Sequence, residues 1–72
     1  MRNTTKLKAL LYKYTASFDL DEQELFNLVI SEKNTGETTR FQAKSYSEVI
    51  AKAYSYLLKE LKREERIHGQ PQ

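Results

Sequence analysis

The chain has 72 residues, a formal net charge of +2 and no cysteine, which excludes disulfides and thiolate metal sites. A chain of this length forms one domain whose core supplies only about 3–5 kcal/mol of stability. No apolar run approaches the roughly 18 residues that a membrane helix needs. We therefore expect a single cytoplasmic domain over residues 1–72, with an ordered core over about 7–67 and flexible ends at 1–6 and 68–72.

The first periodic segment extends from about Leu7 to Asp19. From Leu10 to Phe18 every second residue is apolar, and these apolar positions are rich in Tyr and Phe. This period of two is typical of a half-buried strand. A polar stretch from Asp19 to Gln23 then predicts a turn.

The second segment, Glu24 to Lys33, also alternates and is interpreted as a strand. A helix is the alternative, because Asp21 and Glu24 have the spacing of a capping box. The strand is favoured because Lys33 to Gly36 is a tight-turn sequence and residues 37–43 resume a strand-like composition.

Strand register is set by keeping the apolar residues of neighbouring strands on the same face. In the second hairpin this condition requires a loop of two or four residues. The predicted pairs are Leu28–Phe41 and Ile30–Thr39 in the second hairpin, and Phe18–Phe26 and Ala16–Leu28 in the first.

The last segment predicts an amphipathic helix from about Tyr46 to Arg66, with apolar residues at three- and four-residue spacing. Ser45 and Glu48 have the spacing of a capping box at its start, and Gly69 and Pro71 end it. The predicted fold class is α+β: a small three-stranded antiparallel meander (β-β-β) packed on one long C-terminal α-helix.

Little in the sequence supports catalysis. His68 is the only histidine, and it is expected in a solvated tail. The acidic segment from Asp19 to Glu24 does not have the glycine and glutamate positions of a calcium loop, so it is interpreted as a solvated turn. We expect no enzyme, metal, cofactor or small-molecule substrate.

The sheet face opposite the helix is the first candidate binding surface. It is expected to lack carboxylates at its centre and to carry cations and amides, which suit phosphates and base edges respectively. Polar residues are also routine on any solvated sheet face, so an inert surface is the alternative. The predicted nucleic-acid-binding residues are Lys13, Thr15, Asn27, Arg40 and Gln42.

The stretch from Gly36 to Ala53 holds a turn, then Phe41, then Ser45 and Glu48 opening an amphipathic helix. In this outline the chain resembles the arm-type DNA-binding domain of tyrosine recombinases. The resemblance implies that a three-stranded sheet backed by a helix reads DNA. Antitoxin-like and double-stranded-RNA-binding-like folds are similar in the same outline.

The second candidate surface is a shoulder of the helix formed by Ala51, Tyr54 and Leu58, beside the main apolar stripe. This shoulder or an edge strand is expected to bind another protein or a second copy of the chain, as the alternative to nucleic-acid binding. The segment 59–66 is mixed in sign and is interpreted as a solvated helix end, because its carboxylates would repel phosphate.

Overall fold

The computed structural model describes residues 2–68, and the side chains of residues 2–64. The chain forms two helices and one antiparallel sheet in an α-β-β-β-α order. The elements are α1 (Asn3–Lys13), β1 (Tyr14–Leu20), β2 (Phe26–Glu32), β3 (Thr38–Ala43) and α2 (Tyr46–His68). The predicted α+β class, antiparallel meander and C-terminal helix are confirmed, and α1 is an element that the sequence reasoning missed.

The predicted strand over Leu7–Asp19 is wrong in its first half, because residues 3–13 form α1. The burial pattern within α1 shows the helical period: Leu10 is buried and Leu7 is half-buried, whereas Tyr12 is 85% exposed. A strand would place Leu10 and Tyr12 on one face, but a helix groups residues three apart and turns the residue two positions further to another side. Residues 3–6, expected outside the ordered core, belong to this helix.

The sheet has the order β1-β2-β3. In the second hairpin Leu28 pairs with Phe41 and Ile30 with Thr39, which confirms the predicted register. The first hairpin is shifted by two residues from the prediction, because Phe18 pairs with Leu28 and Ala16 with Ile30. The shift keeps the side chains of β1 on their predicted faces, since it is an even number.

The shift arises because the turn between β1 and β2 is centred on Gln23, one residue later than the predicted pairs require. Asp21 N–H donates to Leu25 O (3.1 Å), and Glu24 N–H donates to Asp21 O (2.9 Å). Glu24 takes a positive φ of 61°, the left-handed position that closes a three-residue hairpin loop. The loop between β2 and β3 has four residues and places Gly36 at φ 76°, the left-handed geometry that glycine adopts at no steric cost.

The core lies between one sheet face and the two helices. Ser45 caps α2 by accepting the Glu48 N–H at 3.2 Å, as the sequence predicts. α1 lies beside α2, where Asn3 Nδ2 donates to Ser47 Oγ at 2.9 Å, and neither of these two helices covers the opposite sheet face. The buried residues are Leu10, Tyr14, Leu28, Ile30, Ala43, Val49, Ile50, Ala53 and Leu57.

Candidate nucleic-acid interface

The open sheet face carries four of the five predicted nucleic-acid-binding residues. Thr15 on β1, Asn27 on β2, and Arg40 and Gln42 on β3 share this face by strand alternation. Lys13 does not belong to it, because Lys13 is the last residue of α1. The predicted pairing of Lys13 with Arg40 on one surface is therefore wrong.

Lys13 instead lies on the helix side, at the corner between α1 and β1. Its ammonium group donates a hydrogen bond to Glu64 of α2 and lies 3.9 Å from Glu32 of β2. The hydrogen bond to Glu64 raises the pKa of Lys13. Lys13 thus neutralises carboxylates in a cleft of about 380 Å³ that Glu37 and Glu60 also line, and it is not presented to a phosphate.

The amides of the open face bind a carboxylate of the chain itself. Asn27 Nδ2 and Gln42 Nε2 donate to Asp21 Oδ2 at 3.3 and 3.2 Å, and Gln42 Nε2 also donates to Asn27 Oδ1 at 3.1 Å. The hydrogen bond from the Leu25 N–H has the largest effect in lowering the pKa of Asp21, and the bonds from these amides lower it further. The carboxylate of Asp21 is therefore charged at neutral pH. The amide groups that were expected to read base edges are already paired.

Carboxylates lie on the open face at the end of the sheet next to the β1–β2 turn, outside the centre for which none was expected. Asp19 and Asp21 line a shallow depression together with Arg40 and Gln42. Two carboxylates and one guanidinium leave this depression with a net negative charge, which repels phosphate. The open face therefore has little electrostatic attraction for a nucleic acid.

The predicted protein-binding shoulder lies next to α1. Lys6 Nζ of α1 stands over the Tyr54 ring at 5.9 Å from its centroid, and Tyr54 packs against the core. Ala51 is half-buried, whereas Leu58 keeps 44% of its surface exposed. α1 therefore contacts part of the shoulder that was assigned to an external partner.

Cations collect on the two helices. We define the basic helical surface as six cationic residues, five on α1 and α2 and one that precedes α1, all exposed except the half-buried Lys6. Its members are Arg2, Lys6, Lys8, Lys52, Lys59 and Lys62. The chain as a whole carries only +2, so the rest of the molecule must carry a net negative charge.

Carboxylates on the helices are few and mostly neutralised. Among the described side chains of α1 and α2 they are Glu48, Glu60 and Glu64. Glu60 forms a salt bridge with Arg63 at 2.8 Å, and Glu64 binds Lys13. Glu48 is thus the carboxylate that competes with phosphate on this side of the described chain.

The helical period explains why sequence reasoning missed this surface. Residues 59–66 are mixed in sign along the chain, and we interpreted them as a solvated helix end whose carboxylates would repel phosphate. Around a helix, each residue is turned by about 100° from the last, so Glu60 lies towards the cleft while Lys59 and Lys62 stay exposed. The spacing of Lys52, Lys59 and Lys62 in the sequence could have indicated the positive charge of α2. The contribution of α1 could not be seen, because its residues were interpreted as a strand.

Metal binding and membrane insertion find no support in the described residues. Among the described side chains, those of residues 2–64, no three His, Asp or Glu residues are grouped so that they could hold a metal ion. Neither described helix combines the length and the apolar character needed to cross a bilayer.

Comparison with known proteins assigns no family to the chain. No family model, no curated protein and no solved structure matches it.

Proposed function

We propose that the chain is a small non-enzymatic module that binds nucleic acid through the basic helical surface. The observation that carries the proposal is the segregation of charge: six cations and one uncompensated carboxylate lie on the described helical side. The other described carboxylates lie at the end of β1, in the β1–β2 turn or in the cleft around Lys13. The helices therefore carry an excess of positive charge on a nearly neutral molecule, and this excess attracts a polyanion to them.

The chemistry of the partner is indicated by the residue types. Lysine ammonium groups contact phosphates without reading sequence, and each phosphate neutralised releases counterions from the nucleic acid. Lys52 and Lys59 are seven residues apart on α2, so about 10 Å separates them along the helix axis. The proposed contact is therefore to a phosphate backbone, with duplex DNA, duplex RNA and single strands as the arms of the test.

The test compares two triple variants that remove the same charge. Lys8, Lys59 and Lys62 become Gln in one variant, and three cations outside the basic helical surface become Gln in the other. The control variant is Lys33→Gln, Arg40→Gln, Lys44→Gln. Fluorescence anisotropy with each labelled nucleic acid is measured from about 50 to 200 mM salt.

The expected result is binding by the wild type whose logarithmic salt slope falls by about 2.7 in the first variant, at about 0.9 per phosphate contact. The control variant should keep nearly the wild-type slope. Equal losses in both variants would refute the helical surface as the site. A greater loss of salt slope in the control variant would indicate that the nucleic acid binds the open sheet face through Arg40. No binding by the wild type at about 50 mM salt would refute the proposal itself.

A further inference from the structure

The two edges of the sheet differ in how they are protected. At the β3 edge, Lys52 Nζ donates to Gln42 O at 2.8 Å, and Arg40 adds a charge to the strand. β1 carries no charged residue from Tyr14 to Phe18. Lysines and charges on an edge strand prevent pairing with other chains, so β1 is the edge left open to pairing.

The hydrogen bonds that flank the first hairpin show which backbone groups of β1 face outward. Lys33 N–H donates to Lys13 O (3.0 Å), and Asp21 N–H to Leu25 O (3.1 Å). Bonded pairs alternate along an antiparallel ladder, so odd-numbered residues of β1 bond to β2 and even-numbered residues point away from it.

Two of the four outward N–H groups are already used. The Tyr14 N–H donates to Leu10 O at the end of α1, and the Leu20 N–H donates to Asp19 Oδ1 at 3.0 Å. Those of Ala16 and Phe18 have no acceptor among the described residues. The open part of the edge is therefore centred on Ser17.

We propose that β1 pairs antiparallel with β1 of a second copy of this chain, about a two-fold axis at Ser17. In this register Ala16 of each copy lies opposite Phe18 of the other, and both form hydrogen-bonded pairs. It is the register that satisfies every outward donor. Centring on Ala16 or on Phe18 would require the N–H of Tyr14 or Leu20, which is occupied.

The side chains are compatible with this register. The small Ala16 faces the large Phe18 on the helix side, and Thr15 faces Asp19 on the open side, where a hydroxyl can donate to a carboxylate. No two like charges are opposed, whereas a two-fold axis at Arg40 on the other edge would oppose two guanidinium groups. The chemistry of β1 thus fits a second β1.

Exposed apolar surface along β1 supports the same partner. Phe18 is 41% exposed and Leu20 is 53% exposed. Phe18 stacks on Tyr46 at 5.6 Å, and these residues line an open apolar hollow with Phe26. Pairing shields part of this surface from water. A two-fold axis perpendicular to the sheet keeps the helices of both copies on one side of a six-stranded sheet. This proposed dimer does not depend on nucleic-acid binding.

A crosslink tests the register directly, because the chain contains no cysteine. Ser17 and its symmetry mate form a non-hydrogen-bonded pair with Cα atoms about 4.5 Å apart, within the range that a disulfide bridges. Ser17→Cys should give a disulfide-linked dimer on mild oxidation. Thr38→Cys, also exposed on the other edge strand, is the matched control and should remain largely monomeric on a non-reducing gel.

Charge at the same position gives a second readout by light scattering and analytical ultracentrifugation. Ser17→Lys should raise the dimer dissociation constant at least tenfold, Thr38→Lys should leave it unchanged, and mixing Ser17→Lys with Ser17→Glu should restore a heterodimer. Circular dichroism checks that each variant is folded. A wild-type chain that is monomeric at millimolar concentration overturns the proposal, as does a dimer indifferent to both charges or equal crosslinking of the two cysteine variants.

Discussion

Glu24 offers the sharpest test of the backbone geometry, because its φ of 61° is the one positive φ among the described non-glycine residues. The left-handed region costs an L-residue with a side chain about 1–2 kcal/mol. Glycine does not bear that cost, but it adds about 0.4–1 kcal/mol of conformational entropy to the unfolded chain. Glu24→Gly should therefore stabilise the fold by about 0.5–1 kcal/mol.

Glu22 is the matched control, since it lies in the same exposed turn without a positive φ. Glu22→Gly removes the same charge from the same acidic turn, but it only adds conformational entropy to the unfolded chain. It should therefore destabilise the fold by about 0.4–1 kcal/mol. The two variants should differ by about 1–2 kcal/mol in urea unfolding experiments monitored by circular dichroism. In a domain of this size, about 1 kcal/mol shifts Tm by about 4–8 °C. Equal destabilisation by both glycines would refute the left-handed assignment and with it the three-residue loop.

Three further outcomes are expected from α1, the core and the Asp21 network. Leu10→Ala should lower the free energy of unfolding by about 2–5 kcal/mol, and Tyr12→Ala should lower it by less than about 0.5 kcal/mol. Similar losses for both variants in urea titrations would contradict α1 and favour a strand at these residues. Burial raises the pKa of Tyr14 to about 12, so stability should fall as pH rises from 10 towards 12, and Tyr14→Phe should abolish the latest tyrosinate absorbance step. The lowered pKa of Asp21 contributes stability above its ordinary pKa that is lost on acidification, and an unchanged acid unfolding curve for Asp21→Asn would contradict this.

The parts of the fold that could be predicted are those where a local pattern has one interpretation. Lys33 to Gly36 is a turn sequence, and the even-loop condition led to the observed pairing of Leu28 with Phe41. The cap at Ser45 is a contact over three residues, so the sequence contains both partners. The predicted register of the first hairpin was wrong because its turn is centred on Gln23, where the side chain of Asp21 accepts N–H groups from Gln23 and Leu25.

The candidate site was predictable in its residue types but not in its location. Arg40 and Gln42 share the expected face, yet Asp21 occupies the amide of Gln42 from 21 residues away along the chain. Lys13 alternates with Tyr12 and Tyr14 in a way that mimics a strand, and only its contact with Glu64 shows which side of the molecule it faces. Long-range pairs of this kind are not encoded in periodicity.

By itself the sequence determined the elements whose apolar spacing is unambiguous: β2, β3 and α2, one small cysteine-free domain, and the tight turn that ends at Gly36. Tertiary structure decided the state of Leu7 to Lys13, because an alternating pattern and one helical face fit the same residues until Leu10 is buried in a core shared with Ile50 and Leu57. It also decided the charge pattern. A helix and a folded sheet bring residues distant in the chain to one surface, so the sign of each surface is a property of packing and not of the order of residues.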